Sequence, residues 1–432
     1  MRIIALTEET QAELKNNMLK RSPSSYGKYE QTVADIVTDI RENGDEALFG
    51  YTEKFDHCKL TAKTVKVTEA EIQEAYDSLD ADFIETMKKS AENIRKFHSL
   101  QLRQSFFNTK EDGSILGQRI TPLEIAGVYV PGGKAAYPSS VLMNVVPAKV
   151  AGVSKIIMTT PPGKDGKINP GTAVAAKIAG VDEIYKVGGA QAIAAMAFGT
   201  ESIPKVDKIT GPGNLFVALA KKAVFGYVSI DSVAGPSEIL VLADETANPR
   251  YVAADLLSQA EHDELASAIL ITDSQELAEK VSAEVDRFTA KLERKEIIEK
   301  SLENYGYILV AKDMDEAVDA ANLIASEHME ILTKDPFATM TKVKNAGAIF
   351  LGEYSSEPLG DYFAGPNHIL PTNGTARFFS PLGVDDFIKK SSVICYSREA
   401  LGRDKDDIIR FANKEGLTAH ANSIAVRFDE SL

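Results

Sequence analysis

Apolar positions along the chain follow two rhythms, and the change between them marks its organisation. From about Tyr29 to Gly44, Val33, Ile36, Val37 and Ile40 recur at i, i+3, i+4 and i+7, one face of a helix, and Gly44 suits its C-terminal stop. More helix follows to about His98. Between about Thr121 and Ala243 short apolar runs (IAGVYV, KIIMTT, EIYKV, DKIT, EILVLA) alternate with Ala-rich stretches of helical length (SSVLMNVVPAKVAG, TAVAAKIAG, AQAIAAMAFG, NLFVALAKKAVFG). Strands separated by helices of that length imply βαβ crossovers and a mostly parallel sheet. Beyond Ala243, SAILITD, YILVAKD and GAIFLG read as further strands. A long helix carries Leu277, Val281, Val285, Phe288 and Leu292 on one stripe, and another runs from about Asp315 to Glu330. Residues 355–392, rich in Gly, Pro and aromatics, read as one long loop. A last helix near Asp406–Lys414 precedes an extended tail, ANSIAVRF.

Composition narrows the class. With 432 residues, 44% hydrophobic and 26% charged, the chain is an ordinary globular protein of two or three domains. A net charge of −15, with no Lys/Arg cluster, would repel a phosphate backbone, so nucleic acid is excluded as a partner. No apolar run approaches the ~20 residues needed to span a bilayer, and MRIIALTEETQAEL lacks the basic start of a signal peptide. A cytoplasmic protein is expected, without membrane contact. Cys58 and Cys395 are too few for a disulfide framework.

Five regions can carry chemistry. Fifteen of the 29 glycines lie between Thr121 and Leu240, where strands turn into helices and backbone N–H groups can cradle a phosphate. The clearest turns are VPGGKAAYPSS, VGGAQA and TGPGNLFVALAKK; the last puts Phe216 at the third position of a GxGxxG, so the dinucleotide fingerprint is incomplete. In PRYVAADLLSQAEHD, Gln259 and His262 share the face of Val252 and Leu256, which fits either a pair of metal donors or a hydrogen-bonded core pair. In DEAVDAANLIASEHMEI, Glu327 and His328 end the apolar face of the expected helix. Burial there would raise the Glu and lower the His pKa, suiting proton transfer, though a His at a helix end also serves the helix dipole. Asp361 and His368 sit between Gly and Pro in PLGDYFAGPNHILPTNG, and Glu415 and His420 flank a glycine in KEGLTAH. HExxH and GxSxG are both absent.

Taken together, GVYVPGGKAAYPSSVLMNVVPAKVAGV, VGGAQAIAAMAFGT, ITGPGNLFVALAKK, IDSVAGPSEILVLAD, LLSQAEHD, SEHMEI and LGDYFAGPNHILPT resemble the histidinol dehydrogenase family over nearly the whole chain. The resemblance implies an α/β fold of two incomplete Rossmann-like domains with mostly parallel sheets and small terminal arms. Expected boundaries are residues 1–25 for an N-terminal arm, 26–125 with 236–380 for a domain holding metal and catalytic residues, 126–235 for a domain of NAD loops, and 381–432 for a dimerisation segment. It implies two NAD-dependent oxidations, from L-histidinol through L-histidinal to L-histidine, at a zinc site formed by Gln259, His262, Asp361 and His420. His328 would be the general base and Glu327 the activator of water. Ser237, Gln259, His262, His328, Asp361, His368, Glu415 and His420 would meet the substrate; Tyr129, Gln191 and Asn214 would meet NAD. In the family's homodimer the terminal segments cross over, so Glu415 and His420 would complete the partner's site. Oxygen and imidazole donors do not by themselves exclude Mn or Co. Two alternatives use the same residues: a metal-dependent hydrolase with Glu327 activating water, and a non-catalytic NAD-binding homologue. A hydrolase would not need three glycine-rich turns.

Overall fold

The helical rhythm at the amino end runs further than Gly44. In the computed structural model, which describes residues 1–20, 27–132 and 137–429, β1 (Arg2–Ala5) and α1 (Glu8–Lys20) precede α2 (Gly27–Asp56), α3 (Glu69–Ser78) and α4 (Ala81–Ser99). Gly44 is a kink inside α2 and not its stop: its φ of 50° and ψ of −127° interrupt the helix, which then resumes. Two expected features fall partly outside the described residues, namely 21–25 of the N-terminal arm and 133–136 of the turn VPGGKAAYPSS.

The chain divides into two compact units, Met1–Gln101 with Leu123–Phe387, and Leu102–Pro122 with Ile388–Leu432. In the first unit β4 (Ile125–Tyr129), β5 (Lys155–Thr159), β6 (Glu183–Tyr185), β7 (Lys208–Thr210) and β8 (Ser229–Ile230) form a parallel sheet in the order β6-β5-β4-β7-β8. Its crossovers are α5 (Pro138–Ala151), α6 (Pro170–Ala179), α7 (Gly189–Phe198) and α8 (Leu215–Val224). β9 (Glu238–Ala243), β10 (Ser267–Thr272), β11 (Gly306–Val310), β12 (His328–Leu332) and β13 (Ala348–Leu351) join β1 in a second parallel sheet, β1-β11-β10-β9-β12-β13. Its connections are α9 (Pro249–Ala260), α10 (Gln275–Thr289), α11 (Lys295–Tyr305), α12 (Met314–Ile324) and α13 (Pro336–Met340), with α14 (Glu357–Tyr362) after β13. The five-stranded sheet starts at its central strand β4, extends one way and then reverses, as in a Rossmann fold; β9 to β13 repeat that order in the second sheet, with β1 added at its edge. β9 and β10 are buried along their whole length, which is why they read as unbroken apolar runs. Apolar clusters cover both faces of each sheet. α2, α3 and α4 pack against α5–α8, beside the five-stranded sheet, whereas residues 26–125 were expected with the segment 236–380.

The second unit is an antiparallel sheet of β2 (Phe106–Thr109), β3 (Ile115–Pro122) and β14 (Ile388–Cys395), with α15 (Arg398–Lys414) packed on α16 (Thr418–Ala425). Three expectations change here and nearby. The last helix begins at Arg398 because Ser397 caps it, its hydroxyl accepting the Ala400 N–H at 3.1 Å. The tail ANSIAVRF lies largely in α16 and is not extended. Residues 355–392 are not one loop, since they hold α14, two short 3₁₀ turns and the start of β14. Among the described residues no helix is long and apolar enough to cross a membrane.

Candidate active site

A Pro at the start and polar residues at the end frame α9. Asn248 caps it, Pro249 occupies the first turn, and Gln259 and His262 follow at its C-terminal end. Gln259 is 1% exposed, and its Oε1 is buried without a hydrogen-bond partner among the described residues. Its Nε2 lies 3.4 Å from His262 Nδ1, which also approaches the Ser258 carbonyl at 3.0 Å. One ligand atom each from His262, Asp361 and Glu357 lie within 4.8 Å of one another. A buried amide oxygen lacking a donor, an imidazole and two carboxylates form an oxygen and nitrogen set that fits a borderline divalent cation.

Glu357 was not singled out from the sequence. It is buried, its backbone N–H donates to Glu330 Oε1 at 2.8 Å, and its Oε2 accepts from Ser258 Oγ at 2.8 Å. The missed signal is SSEPLGDYF: Ser356 and Pro358 start a short helix, and Glu357 and Asp361 then stand one turn apart.

The acid and base are not at a helix end, as expected, but at the start of a central strand. α12 ends at Ile324, where Ala325 takes a left-handed φ of 54°. Glu327 then leads into β12, whose first residue, His328, pairs with Ile239 of β9. His328 Nδ1 donates to the Glu238 carbonyl at 3.0 Å, which leaves Nε2 as the acceptor in the neutral ring. That Nε2 is buried and lies 3.7 Å from Asp361 Oδ1. Glu327 Oε2 accepts the Glu238 N–H at 2.9 Å and lies 3.7 Å from His328 Nδ1. Burial pushes the Glu327 carboxyl up to about 8. On His328 burial acts downward, as expected, but the carboxylates of Glu327 and Asp361 outweigh it and hold the ring at about 10. Asp361 is held below the usual carboxylate range because His328, His368 and His262 outweigh its burial.

His368 Nδ1 donates to the Asp361 carbonyl at 3.0 Å, and its Nε2 lies 3.5 Å from Ser140 Oγ of α5. Neighbouring Asn367 donates to the Met143 carbonyl at 2.7 Å, so this loop is fastened to α5. Ser237 stands half-buried just before β9, its carbonyl accepting the Ser267 N–H at 3.0 Å. Glu415, the C-cap of α15, and His420 of α16 belong to the second unit, where both are exposed.

The three residues expected to meet NAD line one cavity of about 1080 Å³ at the carboxyl ends of the five-stranded sheet. The strand order reverses at β4 and β7, the place where open α/β sheets bind ligands. Tyr129 ends β4; it is buried, its hydroxyl accepts the Gly189 N–H at 3.2 Å, and burial pushes its phenol up to about 12. Gln191 lies in the first turn of α7, where Gly189 takes a φ of 64°. Asn214 caps α8, its Oδ1 accepting the N–H groups of Phe216 and Val217 at 3.0 and 3.2 Å, so only its amide NH₂ is left for a ligand.

With that geometry in place, comparison settles the relationship. The profile of the family described as Histidinol dehydrogenase matches residues 19–428. The chain belongs to the histidinol dehydrogenase family. It is similar to the histidinol dehydrogenase of Clostridium acetobutylicum, 58% identical over 398 residues and covering 92% of each chain. It is likewise 58% identical over 411 residues to that of Bacillus subtilis, covering 95% of this chain and 96% of that one. The crystal structure of histidinol dehydrogenase from Elizabethkingia anophelis superposes with a TM-score of 0.88 at 39% identity, covering 92% of both chains. The α/β class with mostly parallel, Rossmann-like sheets is therefore that of the histidinol dehydrogenase fold, and the chain is an oxidoreductase of amino-acid biosynthesis.

Proposed function

We propose that this chain oxidises L-histidinol through L-histidinal to L-histidine, passing a hydride to NAD in each of two steps at one site. The observation that carries the reading is the meeting of the buried Glu327 and His328 pair with the donors His262, Glu357 and Asp361, with Gln259 beside His262. In the first step His328 Nε2 takes the hydroxyl proton while hydride leaves the same carbon. In the second, the aldehyde adds water, Glu327 accepts a proton from that water, and hydride leaves the resulting diol. A carboxyl whose pKa is pushed up to about 8 is a stronger base than an ordinary one, which suits this role. Both steps act on one carbon, so adjacent groups suffice and neither Cys58 nor Cys395 is required.

Zinc is the cation proposed for Gln259, His262 and Asp361, with Glu357 beside them; it would hold the substrate's nitrogen and oxygen donors in place. With Asp361 so engaged, its pull on His328 would weaken and Nε2 would be left as proton acceptor. Tyr129, Gln191 and Asn214 are the proposed NAD contacts, and Ser237 and His368 further substrate contacts. Residues 381–432 are proposed as a dimerisation segment through which a second copy supplies Glu415 and His420. A cytoplasmic location suits a soluble cofactor and two free thiols.

The test is the NADH yield per histidinol consumed, with and without a chelator. Two NADH, abolished by chelation and restored by zinc, is expected. A yield of one leaves only the alcohol step, and activity surviving exhaustive chelation removes the cation from the reaction. A monomer on light scattering with full activity would remove the shared site.

A further inference from the structure

The cofactor cavity has an electrostatic polarity that Tyr129, Gln191 and Asn214 do not account for. The first turns of α6, α7 and α8 all line it, through Asn169, Pro170 and Thr172, then Gly189 to Gln191, then Asn214 and Phe216. Asn169 and Asn214 cap α6 and α8 with their own side chains, while α7 has no side-chain cap: its Gly189 N–H goes to the Tyr129 hydroxyl, and the N–H groups of Ala190 and Gln191 are kept for an anion. This part of the lining is electropositive and suits a pyrophosphate.

From another element comes the opposite sign. α2 ends at Asp56, which lines the same cavity with Thr32, Ile36 and Phe55 of that helix. A helix C-terminus is the negative end of the dipole, so Asp56 adds charge where the backbone already attracts donors. One carboxylate oxygen, Oδ2, is shielded from water and has no hydrogen-bond partner among the described residues. Burial pushes this carboxyl up to about 6, with His57 opposing. The other acid of the lining, Asp165, already accepts the Lys167 N–H at 3.1 Å within its own turn. Asp56 thus stands in a cavity wall with acceptor capacity that no described protein donor uses, next to the apolar and aromatic Ile36, Phe55 and Phe216 that suit the face of a base.

We infer that Asp56 accepts hydrogen bonds from the ribose hydroxyls beside the adenine of the dinucleotide and is the residue that selects NAD over its 2′-phosphorylated form. A carboxylate can take both hydroxyls of a vicinal diol, whereas a 2′-phosphate would bring two negative charges against it. The inference rests on the proposal that this cavity holds NAD.

Titration calorimetry on the full-length protein tests it, using NAD, NADP and an NAD analogue lacking the adenosine 2′-hydroxyl. The wild type should bind NAD about tenfold more tightly than the 2′-deoxy analogue, and more tightly still relative to NADP. Asp56→Asn should lose the NAD to 2′-deoxy difference and narrow the preference over NADP at least tenfold. NAD binding by the wild type with no preference over the 2′-deoxy analogue overturns this inference alone, whatever the variant does. An unchanged NADP preference in folded Asp56→Asn overturns it as well. No NAD binding by the wild type overturns the cavity's role along with it.

Discussion

Replacing Lys221 with Met tests whether the turn after β7 shapes the cofactor cavity. Lys221 and Asp231 form an ion pair with side chains only 3% and 5% exposed. Lys221 Nζ also donates to the Gly211 carbonyl at 3.0 Å, and the Gly211 N–H donates to Asp231 Oδ2 at 2.8 Å. The pair therefore clamps Gly211 from both sides. Gly211 needs the clamp: its φ is 118°, and a Cβ there would stand 2.0 Å from the Tyr129 carbonyl oxygen. Met preserves most of the lysine's bulk and removes its charge. Leaving one partner of a buried pair unmatched costs about 3–5 kcal/mol, and the released carbonyl adds about 1 kcal/mol. At ~2.1 cal/mol/K per residue over the roughly 370 residues of the first unit, a loss of about 5 kcal/mol lowers the melting temperature by about 6–7 °C. Because the turn leads to Asn214, NAD should bind more weakly as well. Calorimetric melts and NAD titrations read both effects. Adding Asp231→Asn removes the stranded charge while keeping an acceptor for Gly211, and should recover at least about 2 kcal/mol. A single variant within 1 kcal/mol of wild type, or a double variant no better than the single, refutes the clamp.

Three further outcomes are expected. His328→Asn should lower NADH production by about 10²–10⁴-fold while bound zinc, measured by elemental analysis, stays unchanged; near-normal turnover would mean the base lies elsewhere. Glu357→Gln should loosen the cation at least about tenfold in a competition assay with a chromogenic chelator, because it removes one carboxylate from the set with His262 and Asp361; unaltered affinity would place Glu357 outside the ligand shell. Glu183 tests acid stability. Burial raises its carboxyl, but donors from Lys155, Lys66 and Tyr185 prevail and hold it at about 2, below the ordinary 4.5. The stabilisation is present above pH 4.5 and is lost as the pH falls from 4.5 toward 2, so Glu183→Gln should flatten the urea-unfolding free energy across that window by about 1–2 kcal/mol. An unchanged slope between those pH values would contradict it.

Much of the fold was legible because burial acts locally. β9 and β10 are covered on both faces, so EILVLA and SAILIT had to be continuous apolar runs. The glycine-rich turns announced themselves for a similar reason, since chain reversal between strand and helix restricts which residues fit. Gln259 and His262 were visible as two polar groups on an otherwise apolar helical stripe.

The placement of the acid and base was not legible. In LIASEHMEIL the four-residue spacings of Leu323 to Glu327 and Ile324 to His328 satisfy a helix, and the buried Glu330 hides the strand. What decided the matter was the pairing of β12 with β9 and a left-handed Ala325, neither of which is encoded by nearest neighbours. Glu357 was obscured likewise by glycine and proline around a six-residue helix. Sequence alone therefore determined the order and kind of most elements of the two parallel sheets, β12 excepted, because near-neighbour sterics and side-chain burial set the local rhythm. Only the tertiary structure decided that α9, the start of β12 and α14 meet at one place, because strand pairing across some hundred residues of intervening chain brings their ends together.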